Sequence, residues 1–249
     1  MPLSHYLLIA LAGTGAGFVN TVVGSGTLIT FPTLLSLGYS PIVANVSNTL
    51  GLVPGSASGA YGYRKELQGQ KERAIKLSLV AISGGAAGAI LLVLFPGAFQ
   101  QVVPYLILVA VALMIVQPKL SAYIAKRQKP KLGTGILYSG VFLTAIYGGY
   151  FGAAQGVVLI ALLAIGITEP LQRLNGLKNV LVGVVNGVAA VLFMFIAHVA
   201  YRPVVIIAIS SIIGAQIGAR LGRKIPSPVL RGIIVIVGTV VALKLIVSG

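Results

Sequence analysis

The residue with the most pointed chemistry in this chain is Lys178, set between Asn175 and Asn179 in an otherwise apolar run. A helix is expected to start at Pro170, and at a rise of about 1.5 Å per residue the lysine stands about 12 Å inside it. A cation at that depth serves a polar pathway or an ion partner, unless its ammonium snorkels outward or caps carbonyls. Asn175 lies one turn from both Lys178 and Asn179, so the three share one helical face. In the first half Asn45 and Asn48 are also one turn apart, with Thr49 next to Asn45 on the wheel. Amides in such places either join helices or contact a solute.

Two glycine-rich tips are the other candidates. Gly24-Ser25-Gly26, followed by Thr27, and Gly152-Ala153-Ala154, followed by Gln155, carry no bulky side chain, and each precedes a short apolar run. Irregular backbone at membrane depth is tolerated where protein or a watery cavity satisfies it. A helix amino terminus offers free N–H groups and the positive end of the dipole. Two such ends facing one another would hold an anion; the alternative is that small residues only let helices pack closely.

Catalysis finds little to work with. The acids are Glu66, Glu72 and Glu169, the histidines are His5 and His198, and cysteine is absent. No spacing gathers them into a metal site or an acid/base pair, so neither an enzyme nor a cofactor is expected. Glu66 and Glu72 read as solvated loop charges. Glu169 is placed in the first turn of a helix, where it complements the dipole and can pair with Arg173 four residues on.

The elements that must position these groups follow from charge placement. The chain is 57% hydrophobic and 8% charged, with a mean hydropathy of +1.01, against about 25% charged in a soluble domain. Residues 1–63, 77–118 and 132–168 carry no Asp, Glu, Lys or Arg, and about 20 apolar residues make one crossing. Each stretch therefore holds more than one. The net charge of +15 sits mainly in short loops between apolar runs, the pattern of cytoplasmic loops beside anionic lipid and not of nucleic-acid binding. With Trp absent, Tyr61, Tyr63, Tyr123 and Tyr201 are the expected interfacial anchors. The N-terminal apolar run reads as a first helix and not as a removable signal.

Residues 18–55 resemble 146–187 in the order of their features: a glycine tip, a short apolar run, then Pro41 or Pro170 ahead of an Asn-containing helix. Residues 64–76 carry five basic residues and their counterpart 198–203 one, whereas 95–101 carry none and 220–231 four. If basic loops are cytoplasmic, corresponding loops lie on opposite sides, the signature of inverted repeats with an odd number of passes each. Residues 1–63 at 1.5 Å each would reach about 95 Å, enough for three passes.

The fold class expected is an all-α membrane protein of two inverted repeats, each a broken or re-entrant helical hairpin plus three transmembrane helices, with eight to ten membrane segments. The first repeat is 1–117, a basic cytoplasmic linker 118–132, and the second repeat 133–249. Helices are expected from 4 to about 23, to about 38 after the tip, from 41 with Ser40 as N-cap, then 74–94, 101–116, 133–151, 155–165, 170–197, 204–221 and 229–247. Both termini would lie outside; a parallel arrangement with eight crossings is the competing topology.

Asn20, Gly24-Ser25-Gly26-Thr27-Leu28, Phe31-Pro32 and Ala44-Asn45-Val46-Ser47-Asn48-Thr49, with Tyr147-Gly148-Gly149-Tyr150-Phe151-Gly152-Ala153 and Leu174-Asn175-Gly176-Leu177-Lys178-Asn179 in the second half, resemble the sulfite exporter TauE/SafE family of membrane transporters over nearly the whole chain. That resemblance implies export of sulfite, sulfonates or related sulfur oxyanions from a prokaryotic cell across its plasma membrane. Ser25 stands where the family commonly has a third glycine, and Ala154-Gln155 alters the second tip, which bears on substrate preference. The candidate binding residues are Gly24, Ser25, Gly26, Thr27, Asn45, Asn48, Gly152, Ala153, Gln155, Asn175, Lys178 and Asn179. The expected partners are a small anion and the lipid bilayer, with a homodimer left open and no nucleic acid. The competing function is an anion channel without coupling.

Overall fold

A computed structural model describes residues 2–125, 132–221 and 227–248. All of its regular structure is helical: α1 (Leu3–Val22), α2 (Thr27–Ser36), α3 (Pro41–Gly62), α4 (Lys71–Leu94), α5 (Pro96–Ala125), α6 (Thr134–Tyr150), α7 (Gln155–Gly166), α8 (Leu171–Ile196), α9 (Tyr201–Leu221) and α10 (Ser227–Ser248). Five of them are long and apolar enough to cross a membrane: α1, α4, α5, α8 and α9. Their outward side chains, among them Leu11, Leu79, Leu94, Tyr105 and Ile209, are large, apolar and exposed. Hydrocarbon is the solvent that tolerates such a surface.

The helix breaks fall at the glycine tips. Gly24 has φ +94 and Gly152 φ +78, a left-handed conformation in which a Cβ is strained. At the first tip the N–H groups of Val23 and Gly24 both donate to the Val19 carbonyl (2.8 and 3.0 Å). At the second, Phe151 and Gly152 both donate to Tyr147 (2.9 and 3.1 Å). The same closing turn thus ends α1 and α6. The return helices α2 and α7 have 10 and 12 residues, about 15 and 18 Å, roughly half a hydrocarbon core of about 30 Å.

Several expected boundaries move: α4 and α9 begin three residues early, at Lys71 and Tyr201, and the largest shifts are at the two ends of α5. Helix α5 begins at Pro96 and runs to Ala125 through Pro104 and Pro118, so it passes the point where the linker was placed; residues 126–131 of that linker lie outside the described residues, as do 222–226 of the basic stretch 220–231. Pro41 opens α3 at its first turn as expected, but Ser40 occupies the cap position without a capping hydrogen bond from its side chain.

Packing interleaves the two halves. Helix α1 lies along α9 and α6 along α4; α3 packs on α9 and α8 on α4; α3 and α8 cross each other, and α5 pairs with α10. Exchanging α1–α5 with α6–α10 maps these pairs onto one another. The longest seams depend on small residues: a Cβ on Gly214 would fall 1.9 Å from the Thr14 carbonyl oxygen, and one on Gly88 would fall 2.0 Å from that of Ile146. Backbones this close are the membrane solution to helix association, where dispersion and not water exclusion drives packing.

Candidate functional site

The two tips meet apex to apex. The Gly156 N–H donates to the Gly24 carbonyl at 3.0 Å, and a Cβ on Gly24 would fall 2.4 Å from the Gly156 Cα. The expected gap between opposed helix ends is therefore closed at this point, and one of the N–H groups of α7 is engaged by protein. Gly26 lies against α1, its missing Cβ 2.5 Å from the Ala16 carbonyl oxygen. Ser25 donates to the Met114 sulfur of α5 at 3.0 Å. The Ala153 carbonyl accepts from the Tyr147 hydroxyl.

Asn48 of α3 clamps the first turn of α2. Its Nδ2 donates to Thr27 Oγ1 at 3.2 Å, and its Oδ1 accepts from the Thr30 hydroxyl. The second tip has no such clamp. Gln155 is 1% exposed, and neither its Oε1 nor its Nε2 finds a partner.

Lys178 is fully buried. Its Nζ donates to the carbonyls of Asn20 and Thr21, both at 3.0 Å, and Asn179 Nδ2 adds a third bond to Thr21 at 3.2 Å. These are last-turn carbonyls of α1, which have no partner within the helix and form its negative end. The ammonium therefore caps a helix of the opposite half. Asn45 does the reciprocal service with an amide, donating from Nδ2 to the Tyr150 carbonyl at the end of α6 at 2.9 Å. Its Oδ1 has no partner. Among the described residues the ion pairs are Arg73–Glu169, Lys76–Glu72 and Arg173–Glu169; none involves Lys178.

Asn175 points elsewhere, donating to the Tyr63 hydroxyl at 2.9 Å. Tyr63 is thus not an interfacial anchor: it is 1% exposed, wedged between the start of α8 and the loop after α3. Tyr61 and Tyr201 are exposed, and the side chain of Tyr123 lies outside the described residues.

Glu169 precedes the Pro170 cap and so stands outside the first turn of α8. The expected pair with Arg173 is made at 2.7 Å, and Arg73 of α4 joins at 3.2 Å. Arg173 also donates to the Gln68 carbonyl at 2.9 Å. This cluster ties the basic loop over the end of α8 from which Lys178 and Asn179 project inward. Glu169 makes both pairs, each worth up to about 1 kcal/mol while partly exposed, so Glu169→Gln is expected to let the loop open roughly five- to thirtyfold more often. Limited trypsin digestion at Arg64, Lys65 and Lys71 measures this; an unchanged cleavage rate would show that the ion pairs do not hold the loop.

Thr21, Thr30, Ser56 and Tyr147 are site neighbours that residue types alone did not single out. Asn20, noted only within a family motif, donates its amide to Ser56 at 3.1 Å. The only signal for them is a polar residue inside an uncharged run. Among the described residues no three His, Cys, Asp or Glu side chains gather to hold a metal. A cavity of about 460 Å³ beside α5 and α10, lined by Pro41, Gln101, Pro104, Tyr105 and Leu245, includes none of the candidate residues.

The family model described as sulfite exporter TauE/SafE matches residues 9–245. The chain is 26% identical over 240 residues to a protein named probable membrane transporter protein YfcA from Escherichia coli (strain K12), covering 93% of this chain and 86% of that protein. It is 27% identical over 241 residues to the probable membrane transporter protein ORF9 of Sinorhizobium sp, covering 93% and 88%. A probable membrane transporter protein of Haemophilus influenzae (strain ATCC 51907 / DSM 11121 / KW20 / Rd) is 26% identical over 241 residues, covering 96% and 93%.

Proposed function

Since the chain belongs to the sulfite exporter TauE/SafE family of membrane transporters, we propose that it exports a small sulfur-containing oxyanion, sulfite or a sulfonate, by alternating access. The observation that carries this reading is the Lys178 ammonium, buried without a carboxylate partner and with two of its three N–H groups on carbonyls. A charge in such a place is costly unless paired. An oxyanion on the third N–H would complete the shell, with the amide of Asn179 and the amino-terminal ends of α2 and α7 nearby to replace its water. Asn48 and Thr27 hold the end of α2 in position for that contact.

The exchange of packing pairs between the halves, taken with the alternating basic loops, supports an inverted arrangement of the repeats. Because α1 is seamed to α9 and α4 to α6, the bodies that move against each other would be sets of helices drawn from both repeats. The Glu169 cluster would close the basic-loop side in this conformation.

Proteoliposomes loaded with sulfite or an alkyl sulfonate test the proposal. Saturable efflux, accelerated by the same anion on the other side, is the expected result, with chloride as the control ion. Flux that neither saturates nor responds to the opposite-side anion would favour the channel reading.

A further inference from the structure

The two helix breaks are built alike but differ in charge. With Gly24 matched to Gly152, the last turn of α1 matches that of α6, and Asn20 and Thr21 correspond to Gly148 and Gly149. Likewise Asn45 and Asn48 of α3 correspond to Asn175 and Lys178 of α8. Where α8 brings the Lys178 ammonium to the end of α1, α3 brings to the end of α6 only the neutral Asn45 amide; Asn48, the match of Lys178, is turned to Thr27 and Thr30 of α2.

That end of α6 is rich in acceptors. The N–H groups of Phe151 and Gly152 both turn back to the Tyr147 carbonyl, which leaves the later carbonyls of the turn outside the helix ladder. The Asn45 amide sits on the Tyr150 carbonyl; its own oxygen is buried without a partner. The Gln155 amide lies on Gly148, since a Cβ there would fall within 2.3 to 2.5 Å of its Cδ, Nε2 and Oε1, and it too is buried and unpartnered. Unpaired buried polar atoms are destabilising. Two side chains carrying such atoms meet the end of α6, and neither has a counterpart at the ammonium-capped end of α1, which marks a place for a ligand.

We infer that a small monovalent cation, Na⁺, binds at the carboxyl end of α6 between Asn45 and Gln155, where the Lys178 ammonium sits at the matching end of α1. All the ligands would be neutral oxygens, and no carboxylate is among these contacts to balance a divalent ion. Hard cations take amide and carbonyl oxygens, and broken helices in membranes use their carboxyl ends this way. Na⁺ is named over K⁺ as the smaller and harder ion, and competition between the two is part of the test. Coupling of this ion to anion movement rests on the transport reading; its binding does not.

Equilibrium binding of radioactive Na⁺ to the purified full chain, in choline chloride and without added sulfur oxyanion, tests the site. Saturable binding displaced by Li⁺ and not by K⁺ or Mg²⁺ is expected, with a matching Na⁺-dependent rise in Tm. In Gln155→Met the Na⁺ response is expected to vanish while Tm in choline stays level or rises, because an unpartnered amide has been removed. Absence of saturable Na⁺ binding to the wild-type chain, equal displacement by K⁺, or a Gln155→Met chain with the wild-type Na⁺ response would each overturn the inference. Sulfite flux is measured separately, so a chain that binds Na⁺ but moves no sulfur anion would count against the substrate and leave the cation site standing.

Discussion

Valine at Gly156 is expected to prevent the two tips from closing and to abolish recovery of folded, monodisperse protein. A Cβ there would lie 2.4 Å from the Gly24 Cα and 2.9 Å from its carbonyl oxygen, against backbone that cannot rotate away as a flexible side chain could. Overpacking of this kind costs about 1–3 kcal/mol where neighbours can shift, and the hydrogen bond from Gly156 to Gly24 would be lost as well. Gly24→Ala adds backbone strain to the same clash, because its φ is +94. Gly38 separates the two causes. Its φ is +87, yet nothing lies within 4 Å of a Cβ there, so Gly38→Ala should cost only about 1–2 kcal/mol of strain. The yield of monodisperse protein in one detergent, with thermal unfolding of whichever variants are recovered, checks the order: Gly38→Ala mildest, Gly24→Ala and Gly156→Val severe. Equal losses at all three would show that the tips do not touch.

Lys178→Met should leave the fold in place and remove most transport. Methionine keeps the length and apolar body of the side chain, and Asn179 still donates to Thr21. What disappears is the charge. Hydrogen bonds to charged groups are worth about 1.5–3 kcal/mol, so transport efficiency for a sulfur oxyanion is expected to fall roughly 10- to 150-fold. Lys76→Met is the control for net charge, because Lys76 pairs on the exposed surface with Glu72; it should change flux less than about twofold. A folded Lys178→Met protein with wild-type flux would reduce the lysine to a helix cap.

Much of the scaffold was legible in one dimension. The uncharged stretch 1–63 demanded several passes, and Gly24 and Gly152 marked where helices had to stop, because hydrophobic length and left-handed backbone are local properties. Pro104 and Pro118 show the limit of local reading. Neither ends α5, since a proline inside a helix also bends it without stopping it when the packing around it continues. Tyr63 shows another limit: a tyrosine beside a basic loop has the composition of an interfacial anchor, and only the approach of Asn175 puts it in the interior.

The sequence by itself determined that this chain belongs in a bilayer, that residues 18–55 resemble 146–187 in the order of their features, and that a lone lysine and five asparagines lie on α3 and α8, the long helices beyond the two tips. The tertiary structure alone decided what those groups touch. Lys178 meets Asn20 across 158 positions of chain, Asn45 meets Tyr150 across 105, and the two tips close on each other. Periodicity specifies which face of a helix is polar; which helix end that face will cap depends on how the halves interleave, and that is settled by close backbone packing between residues far apart in the chain.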